Sequence, residues 1–160
     1  MANKEIKFGL REGRGIGKEY PVAATQYFQR RGGHFVYLKD GDVNLCSSMT
    51  GCTRADGIVG WADVPKDASG HDYWVSSSTA GKDKVFVITE TDAVYEIPFY
   101  GHAASLTATL IGRGLDIIAT PLSSGNQMAH IGKVASPLLM VGLDKDNKTA
   151  YVKVKASKKL

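Results

Sequence analysis

The string Gly13-Arg14-Gly15-Ile16-Gly17-Lys18 is the first place in this chain where residue types and spacing suggest chemistry. A phosphate-binding loop needs G-x4-G-K-[ST], so that backbone amides cradle the phosphates and a hydroxyl reaches magnesium. Here the spacing differs, and Glu19 stands where Ser or Thr is required. A dinucleotide G-x-G-x-x-G within a βαβ unit is missing too. The loop Ser76-Ser77-Ser78-Thr79-Ala80-Gly81-Lys82 ends in Gly-Lys but lacks the upstream glycine of a Walker motif. His34, His71, His102 and His130 are far apart, with no H-x-H, H-E-x-x-H or C-x-x-C pairing, so no metal site is expected. No G-x-S-x-G elbow occurs, and spacing nominates no pair of carboxylates. The expectation is a non-enzyme without catalytic, cofactor-binding or metal-binding residues.

A second pattern interleaves basic and aromatic side chains: Lys18, Tyr20, Tyr27, Phe28, Arg30 and Arg31. Such a mixture can stack bases and neutralise phosphates. It equally suits an arm that packs its rings on a partner and leaves its charges near acidic surface. No RNP-like or zinc-knuckle pattern supports nucleic acid. Tyr20, Tyr27, Phe28, Arg30 and Arg31 are therefore the expected interface residues. Trp61 and Trp74 could serve an interface too, although core packing is the commoner fate of such rings.

The elements that must position these residues read as strands. HFVYLK (34–39) and VNLC (43–46) flank Asp40-Gly41-Asp42, a hairpin connection with glycine free to take positive φ. GIVGWA (57–62), DYWVS (72–76) and KVFVIT (84–89) follow; the last is almost continuously apolar, as a strand covered on both faces would be. In AVYEIPF (93–99), Ala93, Tyr95, Ile97 and Phe99 share one face, and Pro98 marks a strand end or edge. LTATLI (106–111) fits a strand, though Ala103, Leu106 and Leu110 also fit a helical stripe. LDIIAT (115–120) and QMAHIGK precede PLLMVGL (137–143) and TAYVKVK (149–155), which form a hairpin with Ala150, Val152 and Val154 inward.

About ten short strands with frequent turns predict an all-β fold, an antiparallel barrel or sandwich. Residues 1–31 are expected as an extended, glycine-rich basic arm and residues 32–160 as the body. The chain's 160 residues, 43% hydrophobic and 22% charged, suit one folded domain and argue against disorder. No run approaches the ~18 apolar residues of a membrane helix, and the first residues lack the apolar stretch of a secretory signal. An intracellular product is expected, with Cys46 and Cys52 as small, partly buried thiols, while a disulfide closing the short loop between them stays open as an alternative. Lys/Arg against Asp/Glu count seven to three over residues 1–31, seven to eleven over 32–143 and six to two over 144–160. Two basic ends flank a mildly acidic body.

Two resemblances bear on these residues. Gly114-Leu115-Asp116-Ile117-Ile118-Ala119 resembles the first motif of trimeric dUTPases, which would imply a trimeric β-barrel enzyme with Asp116 at a subunit interface. The later dUTPase motifs do not follow. The segments DKVFVITETDAVYEIPF and IGRGLDIIATPLSSGNQMAHIGKVASPLLMVGLDKDNKTAYVKVKASKK (together about residues 83–159) resemble small head proteins of tailed bacteriophages. In these a body strand leads to a "felP"-like phrase, a glutamine segment, an apolar strand, a "D-x-D-N-K" turn and a final "V-x-V" strand. That resemblance implies a capsid cement (decoration) protein of the virion, assembled in the host cytoplasm. Its expected partners are the major capsid protein and copies of itself, as a homotrimer or homodimer, with no membrane or cofactor. The competing expectation is a β-barrel binding module for nucleic acid or a host protein.

Overall fold

The computed structural model describes residues 9–29, 32–46, 58–64, 69–119, 127–131 and 136–155. Among them run thirteen strands: β1 (Gly9–Glu12), β2 (Gly17–Pro21), β3 (Tyr27–Gln29), β4 (Phe35–Lys39), β5 (Asp42–Leu45), β6 (Ile58–Asp63), β7 (Tyr73–Val75), β8 (Lys84–Ile88), β9 (Val94–Pro98), β10 (Gly114–Ala119), β11 (Gln127–Ile131), β12 (Leu138–Asp144) and β13 (Thr149–Val154).

Local sequence explains the hairpins. The β4–β5 turn places Asp40 at φ 53° and Gly41 at φ 88°, the two left-handed residues that match the strand twist. In the β12–β13 hairpin, the Asp144 carboxylate accepts hydrogen bonds from the Asn147 backbone N–H (3.1 Å) and side-chain amide (2.7 Å). Ala150, Val152 and Val154 are buried while Tyr151 and Lys153 are half-exposed, as alternation requires. Ala93, Tyr95, Ile97 and Phe99 are all buried on one face of β9, and Pro98 is its last residue.

The strands form a six-stranded sheet (β1-β9-β13-β12-β10-β11), a five-stranded sheet (β2-β8-β6-β4-β5) and a two-stranded ribbon (β3-β7). The strand pairings within the sheets are antiparallel. Each large sheet curls until its last strand touches its far side through one parallel bridge, Phe99↔Ala129 in the first and Val22↔Val43 in the second. One bridge does not continue a ladder, so the architecture is a sandwich and the barrel alternative is corrected.

The middle of the second sheet, at β4 and β6, is covered on both faces. From β4, Phe35 and Tyr37 enter the core between the two sheets, while Val36 and Leu38 enter a second core that includes Phe28 and Trp74 of the ribbon. Gly60 allows β6 to lie against β8, because a Cβ there would come within 1.9 Å of the Ile88 carbonyl. Gln127 ties the sheets together. Its carboxamide accepts from the Phe35 N–H (2.8 Å) and donates to the carbonyls of Phe35 (2.8 Å) and Cys46 (2.9 Å). A fully buried amide is tolerated because its hydrogen bonds are made.

Four expectations change. Residues 9–29 are extended, but each strand there is paired: β1 with β9, β2 with β8 and β3 with β7. With Val22 and Phe28 at 1% exposure, this stretch belongs to the body. Residues 106–111 form no strand; short 3-10 turns span Ala103–Ser105 and Ala108–Leu110. The helical spacing of Leu106 and Leu110 prevails because both bury against the inter-sheet core. β8 is covered on both faces only in part, since Phe86 points out at 38% exposure. Cys46 is disulfide-bonded and buried, where reduced thiols were expected; Cys52 lies outside the described residues.

Candidate functional site

The glycine string does make an anion cradle, and the protein fills it. The amides of Arg14 and Gly15 donate to one Glu90 carboxylate oxygen at 2.8 and 3.0 Å. Successive amides around one oxygen are the arrangement that binds phosphate elsewhere. Gly13 (φ 128°) is needed for this approach, because a Cβ would stand 2.8 Å from that same oxygen. Glu90 thus fastens the crossover that carries the chain from the first sheet to the second.

The expected interface residues separate. Tyr20 lies half-buried against the second core, with Lys18 Nζ 4.9 Å from its ring centroid. Phe28 is corrected from interface to core, since alternation along β3 turns it inward onto Trp74 and His34. Tyr27, its neighbour, turns outward and stacks on Tyr73 at 4.9 Å; Tyr73 in turn stacks on His71 at 4.9 Å. This three-ring column stands on the outer face of the ribbon beside Val75, which is 38% exposed. Arg30 and Arg31 lie outside the described residues. Trp61 is buried, packed face-to-face on Tyr95 and edge-on to Phe35.

His34 joins the two cores. Its ring lies between Phe28 and Trp61, and Nε2–H donates to the Gln29 carbonyl at 2.6 Å. Burial lowers its pKa, against the opposing pull of its backbone hydrogen bonds and the Asp63 carboxylate. The neutral ring is the form that fits this site. Tyr95, whose hydroxyl is buried without a hydrogen-bond partner among the described residues, has its pKa raised by burial and then by the charge of Glu90.

Asp116 faces outward from the middle of β10, opposite His130 on β11. Among the described residues no group of three or more His, Cys, Asp or Glu could hold a metal. On the same outer face, Ile118 and Met128 pair across β10 and β11, and Leu139 lies on β12 at the other end of β10, opposite Gly114, all three half-buried. Tyr100 and Val141 are more exposed, at 42% and 37%, whereas Ile131, 40% exposed at the end of β11, stands opposite buried Leu115 on the inner side. Nearer β1, Glu96 is buried with Thr149, whose hydroxyl donates to it at 2.7 Å. Arg11, the extra residue at the β1 bulge, pairs with Glu96.

At the margin where β1 meets β6 and β8, the sandwich opens into a recess of about 340 Å³. Leu10, Trp61, Phe86 and Ile88 line it, and Asp63 supplies a carboxylate. Sequence reasoning missed Asp63 and Phe86. They sit opposite each other only through the β6–β8 register, and no local motif announces a pairing between strands so far apart in the chain.

No protein-family model, no curated protein and no solved structure matches the chain.

Proposed function

We propose that this protein is a non-enzymatic virion protein, a capsid cement that docks on the major capsid protein lattice of a tailed phage and stabilises the head. Two things support the reading. The stretch that resembles phage head proteins, about residues 83–159, includes β8 to β13 and so most of the first sheet. The outer side of that sheet carries Ile118 and Met128 as a half-buried cross-strand pair and Leu139, half-buried, further along, with Tyr100 and Val141 more exposed. This apolar display is the observation that carries the proposal, because apolar side chains gathered on one face mark contact surfaces. A homotrimer or homodimer would repeat the display. On a shell of repeated sites, weak single contacts would sum to firm attachment.

The test is the protein composition of purified particles. Peptides of this chain at a copy number comparable to the shell protein are expected. Particles that contain the shell protein and lack this chain would overturn the proposal. The double variant Tyr100→Lys, Val141→Lys should fold normally and fail to attach.

A second reading, a binding module for nucleic acid or a host protein, draws on the Tyr27–Tyr73–His71 column, since exposed rings can stack bases. It requires affinity that falls steeply with added salt as counterions are released.

A further inference from the structure

We propose that the recess beside β1 docks an extended segment of a protein partner, which adds to the edge of β1 and runs one arginine or lysine side chain over Phe86, past the Trp61 edge, towards Asp63. The proposal does not depend on attachment to a shell.

Strand order supplies the edge. β1 is the terminal strand of the six-stranded sheet, and β9 is its one strand neighbour among the described residues. A terminal strand presents a row of backbone N–H and C=O groups that an extended peptide can pair with. Gly9, at the start of β1, brings that backbone onto the indole, since a Cβ there would stand 3.7 Å from Trp61 Nε1. The Glu90 contacts to Arg14 and Gly15 hold the adjoining crossover in place, so the rim is ordered before anything binds.

Size and charge select the side chain. A recess of about 340 Å³ lies near the lower limit of roughly 300 Å³ for ligand pockets, room for one long side chain. Its walls are apolar, and Asp63, exposed at the end of β6, is the one charged lining residue among the described residues. A long methylene stem ending in a cation satisfies both features. The stem covers Phe86 and Ile88, and the head reaches the Asp63 carboxylate at the rim. A carboxylate side chain would meet Asp63 as like charge, and a purely apolar one would gain nothing from it.

The test titrates the intact chain with the capped peptide Thr-Val-Arg-Val-Thr while NMR follows the Trp61 indole N–H and the β1 amides. Parallel titrations replace the peptide's arginine with citrulline, its neutral isostere, and with glutamate. The expected result is a shift of the Trp61 indole signal and slowed amide exchange in β1, with affinity in the order arginine, citrulline, glutamate. Asp63→Asn should weaken the arginine peptide by about threefold to fivefold, the range of an exposed ion pair, and leave the citrulline peptide unchanged. Phe86→Thr, a change at an exposed strand position, should weaken all three. The proposal is overturned if millimolar peptide leaves the Trp61 signal unmoved. It is equally overturned if the preference for arginine over citrulline survives in Asp63→Asn.

Discussion

Residues 9–29 and residues 84–155 are both made of short strands, yet they enter the fold by opposite routes. The N-terminal stretch gives one strand to each of three sheets, and each pairs with a partner far along the chain. The C-terminal stretch includes two pairs of consecutive strands, β10 with β11 and β12 with β13. The first route closes long loops and needs the rest of the fold in place. The second begins from local turns. Loop closure costs entropy that only distant contacts repay, so the N-terminal strands should be the more dependent on the whole.

The largest effect that could break this comparison comes from truncation. Deleting residues up to Gln29 removes β1, β2 and β3 together with buried Val22 and Phe28. The expected outcome is loss of the cooperative unfolding transition, followed by near-ultraviolet circular dichroism and urea titration. A truncated chain that still melts sharply would make the stretch a detachable arm after all.

Next in size is Phe28→Ala, which empties a fully enclosed position in the second core. It should cost about 3–5 kcal/mol in urea unfolding. A cost within that of an ordinary surface substitution would mean that the ribbon does not pack on the second sheet.

Gln127→Leu sharpens the comparison from the other side, because Gln127 is where the C-terminal region grips β4. The change leaves the Phe35 N–H without this acceptor and takes one hydrogen bond from each of the Phe35 and Cys46 carbonyls, of which Phe35 keeps the Cys46 N–H at 3.0 Å. At roughly 1–3 kcal/mol for a buried polar group left unmade, a loss of about 2–3 kcal/mol is expected, allowing for partial relaxation. A neutral result would show that the two sheets are held by apolar packing alone.

The smallest effect is on pH. The folded pKa of His34 lies below its ordinary value of 6.5, so the unfolded chain takes up this proton more readily. The contribution of neutral His34 is therefore complete above about pH 6.5, the unfolded value, and declines as the pH falls below it. The urea midpoint should fall between pH 7 and pH 5, and His34→Gln should flatten that slope. An unchanged slope in the variant would place the titrating group elsewhere.

Several elements could be read directly. Alternation in AVYEIPF and TAYVKVK names the buried faces of β9 and β13, because a strand's side chains switch sides at every residue. Asp40-Gly41 names its own turn. The reading failed where two local signals competed: Thr107 and Thr109 favour a strand, but burial of Leu106 and Leu110 against a distant sheet decides for 3-10 turns. It failed at Phe28 because glycines and arginines nearby look like an arm, and only the pairing of β3 with β7 sets which side of the strand is inside. The recess was illegible for the same reason, since Asp63 and Phe86 meet through register and carry no shared motif.

Composition, alternation and turn chemistry were enough to establish an all-β chain and most of its strand faces, because these depend on neighbours two to four residues apart. Which strands pair, that Glu90 rather than a bound phosphate fills the glycine cradle, and that β1 ends beside an acid-marked recess were decided by tertiary structure. Those outcomes depend on contacts between distant residues, whose energies no short window of sequence contains.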